Sequence, residues 1–530
     1  MGIGKRRPSV MMHNFSEVPQ VEIPRSVFDR SHGYKTTFDA GYLVPFLVDE
    51  ALPGDTYNVQ MTGFARMATA LFPIMDNMRM ETFFFAVPLR LVWDNFQKFM
   101  GERTNPTDNN DFTVPIIDDL VNAENETIFD YMGLPTKVAA AYEFSALPLR
   151  AYNLIYNEWF RDQNLQDSVT VPTGNGPDDA ETYTLLKRGK RHDYFTSCLP
   201  WLQKGDAVHL SLGTEAPVIG LAAANQTYNQ AGYTGYESGT FTGTVTYEKS
   251  REIDGSSNNT VLMVEEDRSH AGFPWIRADL ANAIGPTVNE LREAIQMQRM
   301  LERDARSGTR YIEIIQAHFG VISPDARLQR PEYLGGGSTP VNITPIANTD
   351  TNLARLAAIG TAAFTGHGFV KSFTEHCIII GLVNVRADLT YQEGLDRMWS
   401  RQSRYDFYWP ALAHLGEQAV LNKELYLNDT TIGNGEFEEV FGYQERYAEH
   451  RYKPSKITGK FRSNDAGTLD SWHLSQEFGD TPTLDGTFIE ENPPIDRCIA
   501  TPTEPHFIFD SYIGMKCARP MPLYGVPGLS

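Results

Sequence analysis

Two runs limit what this chain can fold into more than anything else in it. Met80–Val87 (METFFFAV), closed by Pro88, and residues 376–387 (HCIIIGLVNVRA) are almost wholly apolar. The first is too short and too aromatic for a helix and reads as a buried strand; the second reads as a fully apolar strand with a central place in a sheet. From Thr56 onward Tyr57, Val59 and Met61 alternate with polar residues, the period of a half-buried strand. Helical patterns are fewer. Residues 93–101 form a short one stopped by Gly101. Residues 148–164 place Leu149, Tyr152, Ile155, Tyr156 and Trp159 on one face, as a core-packing stripe does. Thr287 and Glu290 make a capping box after Gly285-Pro286, opening a helix with Val288, Leu291, Ala294 and Ile295 on its apolar face and Gly308 as its stop. The balance is mainly β with a few helices.

Charge narrows the function. The 530 residues carry 46 basic and 67 acidic side chains, a net of −21, which argues against nucleic-acid binding over the whole surface. A local basic face is still allowed. Residues 1–35 hold six basic and three acidic side chains, and Lys5, Arg6 and Arg7 lead them. That segment is either an ordinary solvated tail or an arm that touches phosphates. No apolar stretch follows Lys5-Arg6-Arg7, so no secretory signal is expected, and Cys377–Val383, the longest apolar run, is too short to span a bilayer. The four cysteines are scattered with no CxxC pair and read as reduced core thiols, with neither a metal site nor a cofactor site expected.

Residues 205–270 differ in texture, being rich in Gly, Thr, Ser, Asn and Tyr. Thr240–Tyr247 alternates strictly, and Val261–Glu265 follows turn residues Asp254-Gly255 and Ser256–Asn259. Together they suggest a hairpin on a surface insertion, with tyrosines suited to contact. The last fifty residues are proline-rich. A strand is expected at His506–Asp510, followed by a tail over 515–528 that runs along a surface, a neighbour's by preference.

Motifs for catalysis are missing: the chain has no phosphate-binding P-loop, no HExxH, no GxSxG and no EF-hand loop. Adjacent carboxylates such as Glu490-Glu491 would serve a glycosidase only if they converged, and neighbours on a strand point apart. His367, between two glycines, reads as a loop residue. The run RLQRPEYLGGGS (327–338) has glycines and arginines but no following helix to lend its dipole to a phosphate. Gly335–Gly337 are therefore either a backbone turn or a place where another chain passes closely.

The same region resembles a known family. Residues 303–346, ending in RLQRPEYLGGGSTPVNITPI, are similar to the major capsid proteins of the gokushoviruses, small tailless bacteriophages of the microvirus family with circular single-stranded DNA. The likeness extends to 28–59 (FDRSHGYKTTFDAGYLVPFLVDEALPGDTYNV), to 72–102 and to 488–529, and is least over 205–270. It implies an eight-stranded antiparallel jelly roll of the viral capsid type with long loop insertions and a few helices. On that basis residues 1–35 would be an interior arm, 36–204 and 271–530 the jelly-roll core, and 205–270 a surface insertion rising at the threefold axes. It implies a self-assembling, T=1-type icosahedral shell around the genome, with no catalytic residue. Partners would be further copies of the chain, single-stranded DNA and a host-cell surface receptor, with an internal scaffolding protein and a DNA pilot protein as further candidates. The chain would reside in the virion capsid and, during assembly, in the host bacterial cytoplasm. Lys5, Arg6 and Arg7 are the candidate DNA contacts by charge, and Tyr228, Tyr233 and Tyr236 the candidate host contacts on the insertion. A β-sandwich receptor-binding or adhesin protein is the alternative.

Overall fold

The computed structural model describes residues 24–209, 287–322, 329–347 and 356–524, with six short strand segments between 218 and 278. They fall into two compact units, Gln203–Arg306 and the remainder.

The larger unit is built on one nine-stranded antiparallel sheet. Its strands are β1 (Ser26–Asp29), β2 (His32–Phe38), β3 (Val44–Ala51), β4 (Thr56–Met67), β5 (Met78–Pro88), β6 (Glu332–Ala347), β7 (Leu356–Ser372), β8 (Cys377–Ala387) and β9 (Phe507–Arg519). The order is β1–β9–β4–β7–β6–β5–β8–β3, and β2 also pairs β9. Because β1 and β2 take consecutive stretches of β9, they act as one interrupted edge strand, which reconciles nine segments with the eight expected.

The sheet is curled on itself. Phe46 on β3 lies 6.4 Å, ring to ring, from Phe509 on β9, although their strands sit near opposite ends of the order. The two longest strands make the corner. β6 pairs β5 through Glu332–Val341 and then β7 through Asn342–Ala347, while β7 passes from β6 to β4 at Thr361. Long strands that change partner, with a bulge elsewhere along each, are how a sheet turns a corner without leaving backbone groups unpaired. Leu334 is the extra residue on β6, and Gly366, at φ +80°, is the extra residue on β7. The curled antiparallel sheet and few helices bear out the jelly-roll expectation.

Covering explains the sequence patterns. β4 is buried at Tyr57, Val59, Met61, Ala65 and Met67 and open between them, because one of its faces meets the core and the other does not. β5 and β8 have no open face. Phe84, Ala86, Ile379 and Val383 enter the core inside the curl, whereas Phe85, Val87, Ile378, Ile380 and Leu382 enter a second core outside it. The second core is closed by α1 (Leu147–Ile155), whose Leu149, Tyr152 and Ile155 are all buried as the helical stripe predicts. Each such large apolar side chain contributes about 1.5–3 kcal/mol on burial, which is why strands covered on both faces read as nearly continuous apolar runs. Beyond α1 the chain makes a π-helical turn, Tyr156–Phe160, where Trp159 remains partly exposed and donates its indole N–H to the Pro331 carbonyl at 2.9 Å.

The C-terminal segment departs from expectation. The strand runs from Phe507 to Arg519, not to Asp510, and residues 515–519 lie inside the sheet between β4 and β1 rather than along a surface. Alternation at Phe507, Phe509, Ile513, Met515 and Cys517, all buried, outweighs the prolines, which begin only at Pro520. Of the stretch 1–35 expected as an arm, residues 1–23 lie outside the described residues and the rest contributes to the sheet. Ser26–Asp29 forms β1 and His32–Lys35 opens β2, and between them Arg30 is held by Asp49 at 2.6 Å.

In the smaller unit three antiparallel pairs are nested: Val218–Ile219 with Arg277–Ala278, Leu221–Ala222 with Met263–Val264, and Tyr233–Gly235 with Val245–Tyr247. The expected hairpin between 240–247 and 261–265 is thereby corrected. Alternation marks a strand but carries no information on its partner, and each half pairs with an earlier segment. The unit also holds most of α2 (Val288–Ser307). Its capping box is formed, with Thr287 N–H donating to Glu290 Oε2 at 2.6 Å and Glu290 N–H to Thr287 Oγ1 at 3.2 Å, and Gly308 ends the helix at φ +97°.

Candidate nucleic-acid and assembly surfaces

The glycine run is neither a turn nor a phosphate cradle. Gly335, Gly336 and Gly337 sit inside β6 and pair with Phe84, Phe83 and Thr82 of β5. Of the two alternatives, close passage of chain is what the structure shows, and the chain is its own. A Cβ on Gly335 would stand 2.5 Å from the Gly368 carbonyl oxygen, one on Gly336 would overlap the Thr82 carbonyl, and one on Gly337 would overlap the His367 ring. His367 is therefore not a loop residue. It lies on β7, 4.1 Å from the Phe364 ring in a stacked arrangement, with Nδ1 2.9 Å from Thr82 Oγ1 and Nε2 3.3 Å from Thr339 Oγ1. Burial lowers its pKa, which favours the neutral ring with one donor and one acceptor nitrogen.

Lys5, Arg6, Arg7, Tyr228 and Tyr236 lie outside the described residues. Tyr233 opens the innermost strand pair of the smaller unit, opposite Tyr247. Of the carboxylate pair, Glu491 is buried and accepts the Ala387 N–H at 3.3 Å, with burial raising its pKa, whereas Glu490 is only half-buried. Among the described residues no group of three His, Cys, Asp or Glu could hold a metal, and no helix is long and apolar enough to cross a membrane.

All four cysteines are unpaired and buried. Burial pushes the Cys498 thiol up to about 11 and that of Cys377 up to about 12. Since the thiolate is the reactive form, a disulfide reagent at mildly alkaline pH is expected to label the native protein hardly at all and to titrate four thiols after denaturation in urea. A rapidly labelled native thiol would show that one of these sites opens.

One further surface lies outside the sequence expectations. Strands Glu417–Leu421 and Val440–Glu445 pair over a third core containing Tyr194, Phe195, Tyr391, Phe441 and Phe488. The chain leaves the second strand through Tyr447, an aromatic residue at φ +64°, a conformation that costs on the order of 1–3 kcal/mol. Its hydroxyl donates to the Phe407 carbonyl at 3.1 Å and accepts the Trp409 N–H at 3.4 Å. The segment 396–412 is thereby fixed against 445–456. Further ties are Lys456–Asp396 at 2.6 Å, Arg401–Glu449 at 3.4 Å and the Arg446 guanidinium on the Tyr405 carbonyl at 3.4 Å. Across this junction Met398, Trp399, Tyr405, Phe407, Tyr408 and Trp409 are exposed. The signal was present in the sequence: Arg446–Arg462 holds six basic side chains and one acidic, within a chain of −21.

Comparison with known proteins agrees with this architecture along the whole chain. Residues 16–529 match the family described as "Capsid protein (F protein)". The chain is 46% identical to the "Capsid protein VP1" of Chlamydia phage 1, covering 100% of both chains. It is 46% identical to that of Bdellovibrio phage phiMH2K, covering 97% of each, and 34% identical to that of Spiroplasma virus 4, covering 98% of each.

Proposed function

The chain belongs to the capsid protein (F protein) family as a major capsid protein of microvirus phages, and on that premise we propose that its copies close into a T=1-type icosahedral shell around a circular single-stranded DNA genome. Its role is structural, in the virion, through a homo-oligomeric shell. The observation that carries the proposal is full-length similarity joined to a sheet whose outer face is left unfinished. On β4 and β9, Phe64, Ile508 and Tyr512 point away from the core and stay exposed. Apolar groups in that position gain from contact with further copies, and many weak symmetric contacts can close a shell.

Within this reading Lys5, Arg6 and Arg7 form an interior arm against the genome. The insertion at 205–270, with Tyr228, Tyr233 and Tyr236, meets the host surface. Nested strand pairs bring the two ends of that insertion together, as expected of a projection hung from adjacent loop ends. Assembly would take place in the host cytoplasm. Scaffolding and pilot proteins would be accessory partners.

Cryo-electron microscopy of the protein from a producing culture, with nuclease-protected DNA assayed in parallel, tests the proposal. Closed isometric particles containing protected single-stranded DNA are expected. Monomers or trimers without DNA across a range of salt would favour the receptor-binding alternative.

A further inference from the structure

We propose that the junction of 396–412 with 445–456 is a binding surface for single-stranded nucleic acid, contacting bases through Trp399 and Tyr405 and phosphates through Arg404, Arg446 and Lys453. The inference rests on the shell reading above for its biological setting, but its chemistry stands on the surface itself.

The first line of support is charge. Most acidic side chains at the junction already have a basic partner: Asp396 with Lys456, Glu424 with Arg397, Glu449 with Arg401 and Glu445 with Arg451. Asp406 is occupied differently, accepting the N–H groups of Gln402 and Ser403 at 2.9 and 2.7 Å. Among the described residues no carboxylate forms an ion pair with Arg404, Arg446 or Lys453, which makes them surplus cations. They form a local positive surface on a strongly acidic chain, which is the complement a polyanion needs and which bulk charge conceals.

The second line is the rings. Trp399 is 68% exposed and Tyr405 65%, and they share one short segment with exposed Met398, Phe407, Tyr408 and Trp409, a grouping that marks a contact surface rather than scattered surface residues. The Arg404 guanidinium lies 4.7 Å over the Trp409 ring, and that of Arg446 lies 4.7 Å over Tyr447. Trp409 Nε1 donates to the Arg404 carbonyl at 3.0 Å, so the ring is oriented before any ligand arrives. Aromatic faces interleaved with arginines recognise unpaired bases, because every base has a π-face and no sequence need be read. Duplex DNA would not offer those faces.

The third line is rigidity. The surface is held from beneath by the Tyr447 hydroxyl, and Arg401 reaches His450 Nε2 at 3.0 Å. A depression beside the rings has Lys453, Tyr452 and His450 in its lining together with the paired groups Arg397–Glu424, Arg401–Glu449 and Asp396. Such a platform loses little entropy when a strand is laid on it.

A second copy of this acidic chain is the competing occupant, and the test separates the two. Binding of fluorescein-labelled oligo(dT) to the full-length protein is followed by fluorescence anisotropy at several salt concentrations, with particle formation scored by electron microscopy. Trp399→Ala is expected to weaken binding by about tenfold or more. Lys453→Ala is expected to lower the slope of log K against log salt by about 0.7. Both variants should still assemble, since these side chains are exposed. Ultraviolet cross-linking of bound oligo(dT) should mark peptides within 396–412. Unchanged affinity together with lost assembly would overturn the inference in favour of a contact between copies. Unchanged affinity with intact particles and cross-links elsewhere would also overturn it while leaving the shell reading standing. Failure of the wild-type protein to form particles would instead strike at the shell reading.

Discussion

Asp178→Ala is expected to remove a large share of the fold's stability. Arg150 on α1 is completely buried, and its guanidinium grips Asp178 through Nε–Oδ2 at 2.7 Å and Nη2–Oδ1 at 2.5 Å. The remaining donor, Nη1, reaches the Val92 carbonyl at 3.0 Å and the Gly174 carbonyl at 2.8 Å, while the Tyr183 hydroxyl donates to Asp178 Oδ2 at 2.6 Å. One ion pair thus ties together α1, the turn after β5 and the loop at 174–183. Removing the carboxylate leaves a cation with no water and no counter-charge, a loss of about 3–5 kcal/mol. Domains of this kind have only about 5–15 kcal/mol in total. The double variant Arg150→Met, Asp178→Leu should be markedly better tolerated, because no charge is then stranded. Soluble yield and urea midpoint for the three proteins check this. Equal damage from the single and double variants would mean that shape, not charge, is what the site requires.

Gly336→Val is expected to be as severe, for a steric reason. The added Cβ would overlap the Thr82 carbonyl of the adjacent strand. Neither strand can withdraw, since Phe83, Phe84 and Phe85 of β5 are committed to opposite faces, with Phe84 in the inner core and Phe85 in the outer. Overpacking alone costs about 1–3 kcal/mol, and here the backbone ladder would separate as well. Gly433→Ala, where an added Cβ meets nothing within 4 Å, is the matched control and should behave like the wild type. Thermal unfolding of the two variants side by side is the measurement. A Gly336→Val protein as stable as the control would mean that β5 and β6 can move apart without loss.

Much of the fold was legible because burial writes directly into sequence. β5 and β8 are apolar along the stretches covered on both faces, and β4 alternates since one of its faces is not. The helical stripe at Leu149, Tyr152 and Ile155 and the Thr287–Glu290 cap were readable for the same local reasons. What failed was everything decided by a distant partner. Gly335–Gly337 announce that something comes close, but only the curl of the sheet puts Gly368 and His367 there. Val245–Tyr247 looked like a strand and is one, yet its partner lies upstream. Prolines after Arg519 drew attention from the alternation before it. The basic and aromatic surface was hidden for a related reason: Trp399 and Lys453 are far apart in sequence, and an acidic total of −21 masks a local excess.

The place of β9 sets an order of events in synthesis. Phe507–Arg519 lies between β4 and the N-terminal strands, so the first strands made are joined only by the last. At roughly 5–20 residues per second, β4 waits about 20–90 s for its neighbour to emerge from the ribosome. Through that interval β1 and β2 lack β9, their partner among the described strands, and one edge of β4 lies open. A message cut short before Phe507 therefore yields a chain that cannot complete its sheet. Completion of the sheet therefore depends on translation through Arg519: without β9, the two N-terminal strands and one edge of β4 have no partner among the described strands.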